Sequence, residues 1–76
     1  MSQFRSVKGQ EAIRVFVAAG GTARKGKGDH YNVKMPNGQI ITIPVSKDLK
    51  IGLLKAAIKK AGLTDEEFER LLFRND

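Results

Sequence analysis

Apolar residues recur at helical spacing between residues 8 and 19, where Ala12, Ile13, Phe16 and Val17 fall on one stripe before Gly20-Gly21 stops the run. This pattern predicts a first helix with those side chains in the core. The period then changes. Residues 22 to 25 form a short extended segment that ends at Gly26 and Gly28, and residues 29 to 35 and 39 to 45 alternate across Pro36-Asn37-Gly38. A helical stripe returns over residues 51 to 61, with Leu54, Ala57, Ile58 and Ala61 inward and Gly62 just past the end. Thr64 and Glu67 have the spacing of a capping box and open a third helix bearing Phe68, Leu71 and Leu72. Residues 1 to 7 show no period and are expected to be a flexible lead-in.

The hairpin register follows from the same pattern. A two-residue Asn37-Gly38 turn would put His30, Asn32 and Lys34 on the face of Ile41, Ile43 and Val45, leaving no apolar side. A three-residue connection, with Pro36 opening the turn and Gly38 left-handed, pairs Met35 with Gln39 instead. Tyr31 then faces Ile43 and Val33 faces Ile41, while His30, Asn32, Lys34 and Thr42 share the other side. The second register is the one expected. The resulting order is α-β-β-β-α with an added C-terminal helix: an α+β fold whose three-stranded antiparallel sheet has helices on one face and the other face open. Double-stranded-RNA-binding domains have the same order and packing.

Seventy-six residues fit one domain over 1 to 76, with room for a modest core but not for a deep cavity. There is no cysteine, which fits a reducing cytoplasm and excludes disulfides and thiolate metal sites. No apolar run approaches the roughly 18 residues that cross a bilayer, so no membrane association is expected. The net charge of +6 is uneven. Residues 24 to 60 carry nine lysines and arginines against Asp29 and Asp48, whereas residues 61 to 76 are net acidic. A basic middle points to a polyanion, RNA or DNA first, although the same lysines also serve to solvate helix and strand surfaces.

The stretch richest in chemistry is Gly26-Lys27-Gly28-Asp29-His30-Tyr31, which contains the only histidine. An imidazole exchanges protons near neutral pH without a special environment. Glycines let backbone N–H groups approach a phosphate, and Lys25 and Lys27 add charge beside them. The same residues also describe an ordinary solvated turn. One histidine without cysteine cannot assemble a histidine-rich or thiolate metal cage, and the acidic cluster from Asp65 to Glu69 is already explained as a helix start.

Over nearly its whole length the chain resembles the HicA toxins, small messenger-RNA-cleaving proteins of bacterial toxin-antitoxin pairs. The likeness rests on Ala18-Ala19-Gly20, Gly26-Lys27-Gly28-Asp29-His30, Pro36-Asn37-Gly38, Ile43-Pro44-Val45, Lys47-Asp48-Leu49-Lys50 before Gly52, and Ile58-Lys59-Lys60-Ala61-Gly62-Leu63-Thr64 followed by Glu66, Glu67 and Phe68. The chain differs from the usual family pattern in carrying Asp29 where a serine is common, Ser46 where many members have a second histidine, and Gly21 where an aromatic follows the Ala-Gly pair. The resemblance implies a double-stranded-RNA-binding-like fold and an endoribonuclease with one catalytic histidine at His30; without a plausible metal cage the cleavage is expected to be metal-independent, and no cofactor is expected. It also implies a HicB-type antitoxin that covers the His30 face. Arg24, Lys25, Gly26, Lys27, Gly28, Asn32 and Lys34 are the expected RNA-binding residues, and the free form is expected to be a monomer. The alternatives are a non-catalytic RNA-binding module of the same fold and a protein-interaction domain whose basic face meets an acidic partner.

Overall fold

The computed structural model describes residues 7–74. In chain order it contains β1 (Val7–Lys8), α1 (Gly9–Ala18), β2 (Thr22–Lys25), β3 (His30–Lys34), β4 (Ile40–Pro44), β5 (Asp48–Leu49), α2 (Ile51–Lys60) and α3 (Asp65–Leu72). Strands β2, β3 and β4 form an antiparallel sheet in that order, and β1 pairs with β5 as a separate ribbon. The expected α+β architecture is therefore present, with the three-stranded sheet and all three helices.

The register of β3 on β4 is the three-residue one, with Tyr31 opposite Ile43, Val33 opposite Ile41 and Asn32 opposite Thr42. Met35 N–H donates to Gln39 C=O at 2.8 Å, and Gly38 N–H donates to Met35 C=O at 2.9 Å. Gly38 takes a φ of +88°, a left-handed conformation that costs other residues about 1–2 kcal/mol. Asn37 fixes the turn further. Its Oδ1 accepts from Gln39 N–H at 3.0 Å and its Nδ2 donates to Lys60 C=O at 3.1 Å, tying the hairpin to the end of α2.

Val33, Met35, Ile41 and Ile43 bury one sheet face against Ala12, Val15 and Phe16 of α1, Leu54, Ala57 and Ile58 of α2, and Phe68 of α3. Phe16 and Phe68 meet with ring centroids 5.5 Å apart in a tilted arrangement. The α1 stripe is rotated from the expected one. Gly9, Ala12, Val15 and Phe16 are buried, Ile13 is half-buried and Val17 is exposed. The apolar residues of α1 outnumber the arc that a single packed face can hold, so Val17, one residue beyond Phe16, turns away from the sheet.

Residues 1–6 of the expected lead-in lie outside the described residues, and Val7 departs from that expectation. It is a buried strand residue paired with Leu49, and Lys8 pairs with Asp48. Ribbons of two residues contain no repeat, so alternation in the sequence could not reveal this pairing.

Candidate functional site

The turn between β2 and β3 is closed by two backbone bonds, Gly26 N–H to His30 C=O at 2.8 Å and His30 N–H to Lys27 C=O at 3.0 Å. Gly28 occupies the first central position with a φ of +56°. Because the N–H groups of Gly26 and His30 are spent inside the turn, neither is available to a phosphate. What Gly26 provides is the absence of a side chain, since a Cβ there would stand 3.1 Å from Asn32 Nδ2.

His30 begins β3 with its side chain exposed on the open face of the sheet. The preceding residue anchors the turn. Asp29 C=O accepts from Val45 N–H at 2.8 Å, and its Oδ2 accepts from the Ser46 hydroxyl at 2.7 Å and the Ser46 N–H at 3.2 Å. The Ser46 hydroxyl, then the Ser46 N–H, and more weakly the charges of His30 and Lys47, hold the Asp29 carboxyl below its ordinary value of 3.8, against a smaller opposing effect of desolvation. The histidine-bearing turn is thereby tied to the segment that follows β4.

The pairing brings Arg24, Asn32 and Lys34 together on the face of His30, whereas Lys25 lies opposite Tyr31, which alternates onto the other face. Arg24 lies opposite Asn32, Asn32 opposite Thr42, and both Thr22 and Ile40 opposite Lys34. Thr22, Arg24, Lys25, Asn32, Lys34 and Ile40 line an open depression of about 510 Å³. The Thr42 hydroxyl donates to Asn32 Oδ1 at 2.7 Å. Along β3 the spacing from His30 to Lys34 is about 13 Å at the usual strand rise. Lys27 and Gly28 sit apart from the depression, in the turn beside His30. The site thus has two neighbouring parts, an imidazole at the turn end and a cation-rimmed hollow further along the strands.

Thr22 and Ile40 were not among the residues singled out from sequence, and Thr42 was placed on this face without a role. The register alone contained the signal, because counting outward from the hairpin puts Thr22 and Ile40 on either side of Lys34. Among the described residues no group of three or more His, Cys, Asp or Glu side chains is placed to hold a metal ion, and no helix is long and apolar enough to cross a membrane.

Fold and site together define a small α+β protein that presents one imidazole and a group of cations on the uncovered side of an antiparallel sheet. A family model described as HicA toxin of bacterial toxin-antitoxin matches residues 9–63. The match takes in α1, the three-stranded sheet and α2, well over half of the chain, and the chain belongs to the HicA toxin family. No curated protein matches it.

Proposed function

We propose that this chain is the toxin of a toxin-antitoxin pair and that it cleaves messenger RNA, with His30 transferring the proton and no metal taking part. The observation that supports this reading best is the placement of His30, exposed on the open face next to a hollow rimmed by Arg24, Lys25 and Lys34. Phosphates on those cations would set a strand of RNA along β3, with the scissile phosphate at the turn end. The chain has one histidine and no cysteine, so the nucleophile we assign is the substrate's own 2′-hydroxyl rather than a metal-bound hydroxide. His30 then acts as general base on that hydroxyl or as general acid on the leaving 5′-oxygen, a role that typically contributes about 10²- to 10⁴-fold. Lys27, in the same turn, is the cation we assign to stabilise charge developing on the phosphate. A single imidazole cannot fill both proton-transfer roles in one step, so the enzyme is expected to be slow. An open-faced site offers no shield of its own, and the partner we assign to it is a HicB-type antitoxin laid over the His30 face.

The test is the chemistry of the products. Purified protein should cut an RNA oligonucleotide in the presence of EDTA and leave a 2′,3′-cyclic phosphate and a 5′-hydroxyl. Cutting should stop when the 2′-hydroxyl at the cut site is replaced by hydrogen. A 5′-phosphate product, or cleavage that requires a divalent ion, would overturn the assignment. RNA that is bound but never cut would favour the non-catalytic module.

A further inference from the structure

We infer that the outer edge of β4 takes on an added strand, supplied by an extended segment of another protein in which apolar and acidic side chains alternate. The sheet order makes β4 an outer strand. Met35 N–H donates to Gln39 C=O and Val45 N–H donates to Asp29 C=O. By the alternation of an antiparallel ladder, Gln39, Ile41, Ile43 and Val45 then aim their backbone groups at β3, and Ile40, Thr42 and Pro44 aim theirs outward. Pro44 has no N–H, and the backbone of Gly9 packs so closely on its C=O that a side chain at Gly9 would collide with it. Ile40 and Thr42 each keep an N–H and a C=O that meet no hydrogen-bond partner among the described residues. Such an edge is a template for a further strand, and proteins commonly guard it with charge. The other outer strand, β2, carries Arg24 and Lys25, whereas β4 has no charged residue and leaves Ile40 50% exposed.

The surroundings of the edge define what the added strand carries. Leu53, Ala56, Ala57 and Lys60 of α2 face Ile40 and Ile41 across an open groove of about 310 Å³, and Leu53 is exposed there. Directly opposed residues of paired strands share a face, so the added residue opposite Ile41 points to the helix side and enters this groove. An apolar side chain fits it. The added residues opposite Ile40 and Thr42 stand on the open face instead, extending the row of Thr22, Lys34 and Ile40 and the row of Arg24, Asn32 and Thr42. At about 4.8 Å between neighbouring strands, the residue opposite Ile40 lies about 10 Å from the backbone of Lys34, within the joint reach of a lysine and a glutamate. Lys60 offers a second cation from the groove side. A further copy of this chain has no carboxylate on its own β4 and brings another net charge of +6, so charge complementarity selects an acidic partner. Backbone bonds along the edge supply affinity and the alternate side chains supply selectivity, as in other cases of strand addition.

No step of this inference uses His30 or RNA, so it stands or falls separately from the cleavage reading. The experiment selects linear dodecapeptides from a random phage-displayed library against the full chain, then synthesises the enriched peptides and measures their binding in solution. Enriched sequences should alternate apolar and acidic residues, and binding should weaken as salt is added. Amide hydrogen exchange followed by NMR should slow at Ile40 and Thr42 in the complex. Thr42→Pro deletes one outward N–H in phase with Pro44, where the ladder to β3 loses no bond, and should weaken binding by about fivefold. Unchanged protection of the Val33 and Ile41 amides verifies that the ladder persists in this variant. Leu53→Lys should weaken binding through the groove with the edge left intact. Failure to enrich any peptide, enrichment of basic or unpatterned ones, protection that bypasses Ile40 and Thr42, or binding that survives both substitutions overturns the inference. Slowed exchange at these two amides that rises with protein concentration and needs no peptide would assign the edge to a second copy and overturn it as well.

Discussion

Two residues at which this chain departs from the usual family pattern are in contact. Asp29 and Ser46 lie seventeen positions apart, and Ser46 directs both its hydroxyl and its backbone N–H at one carboxylate oxygen. The Asp29 carboxylate, in the turn just before His30, is thereby engaged by the segment that follows β4. Its pKa is lowered by these bonds, so the ionised form stabilises the folded state. The sign follows from linkage: this contribution is fully present above the unfolded-state value near 3.9 and is lost as the pH falls through the lower folded-state value. Asp29→Asn should therefore be less stable than wild type at pH 6, and the gap should close in the acid limb below about pH 4, as read by urea denaturation at each pH. A gap independent of pH would show that the charge of Asp29 contributes nothing. His30, by contrast, is exposed and its side chain makes no hydrogen bond within the described residues. His30→Ala should change stability by less than about 0.5 kcal/mol in the same measurement.

At the scale of elements, the parts with a strong repeat or a cap were legible in the sequence. The hairpin register was readable because only one pairing gives Tyr31, Val33, Ile41 and Ile43 a common face. The start of α3 was readable because Thr64 and Glu67 form the reciprocal cap, Glu67 N–H to Thr64 Oγ1 at 3.0 Å and Thr64 N–H to Glu67 Oε1 at 2.9 Å. Thr64→Ala should cost about 1 kcal/mol in urea unfolding, and a cost near zero would mean that α3 is held by its packing and other contacts without help from the cap. The β1–β5 ribbon was not legible, since each strand has two residues and Lys8 and Asp48 look like ordinary surface polar positions. Val15 and Val17 were not separable either, because which of two valines enters the core depends on where the sheet lies relative to α1. The face that carries the candidate site was legible residue by residue for His30, Asn32 and Lys34. The hydrogen bond between Asn32 and Thr42 was not, because side-chain direction within a strand pair is a property of the folded sheet.

Across the whole molecule, the fold gives the basic charge of residues 24 to 60 two kinds of use. Lys59 and Lys60 sit in the last turn of α2, where they complement the negative end of the helix dipole, and Lys55 pairs with Asp65 at 3.1 Å. Arg24, Lys25 and Lys34 line the hollow, and Lys27 sits apart from it in the turn beside His30. Replacing Lys25 and Lys27 together with Ala should weaken RNA binding alike for all sequences and lower the salt slope by roughly 0.7 per lost contact on a single strand. An unchanged slope would place the RNA elsewhere on the molecule. On the proposed reading antitoxin and substrate compete for the open face, so co-expression of a HicB-type antitoxin should relieve toxicity by occlusion. All of these readings depend on the exposed imidazole at the start of β3. The most direct test is induced expression in bacteria of the chain with His30 intact and with His30→Ala, following growth and transcript integrity together and checking that both proteins accumulate folded. The account predicts growth arrest and fragmented transcripts only with His30 intact, and undiminished cleavage by the folded His30→Ala protein would contradict it.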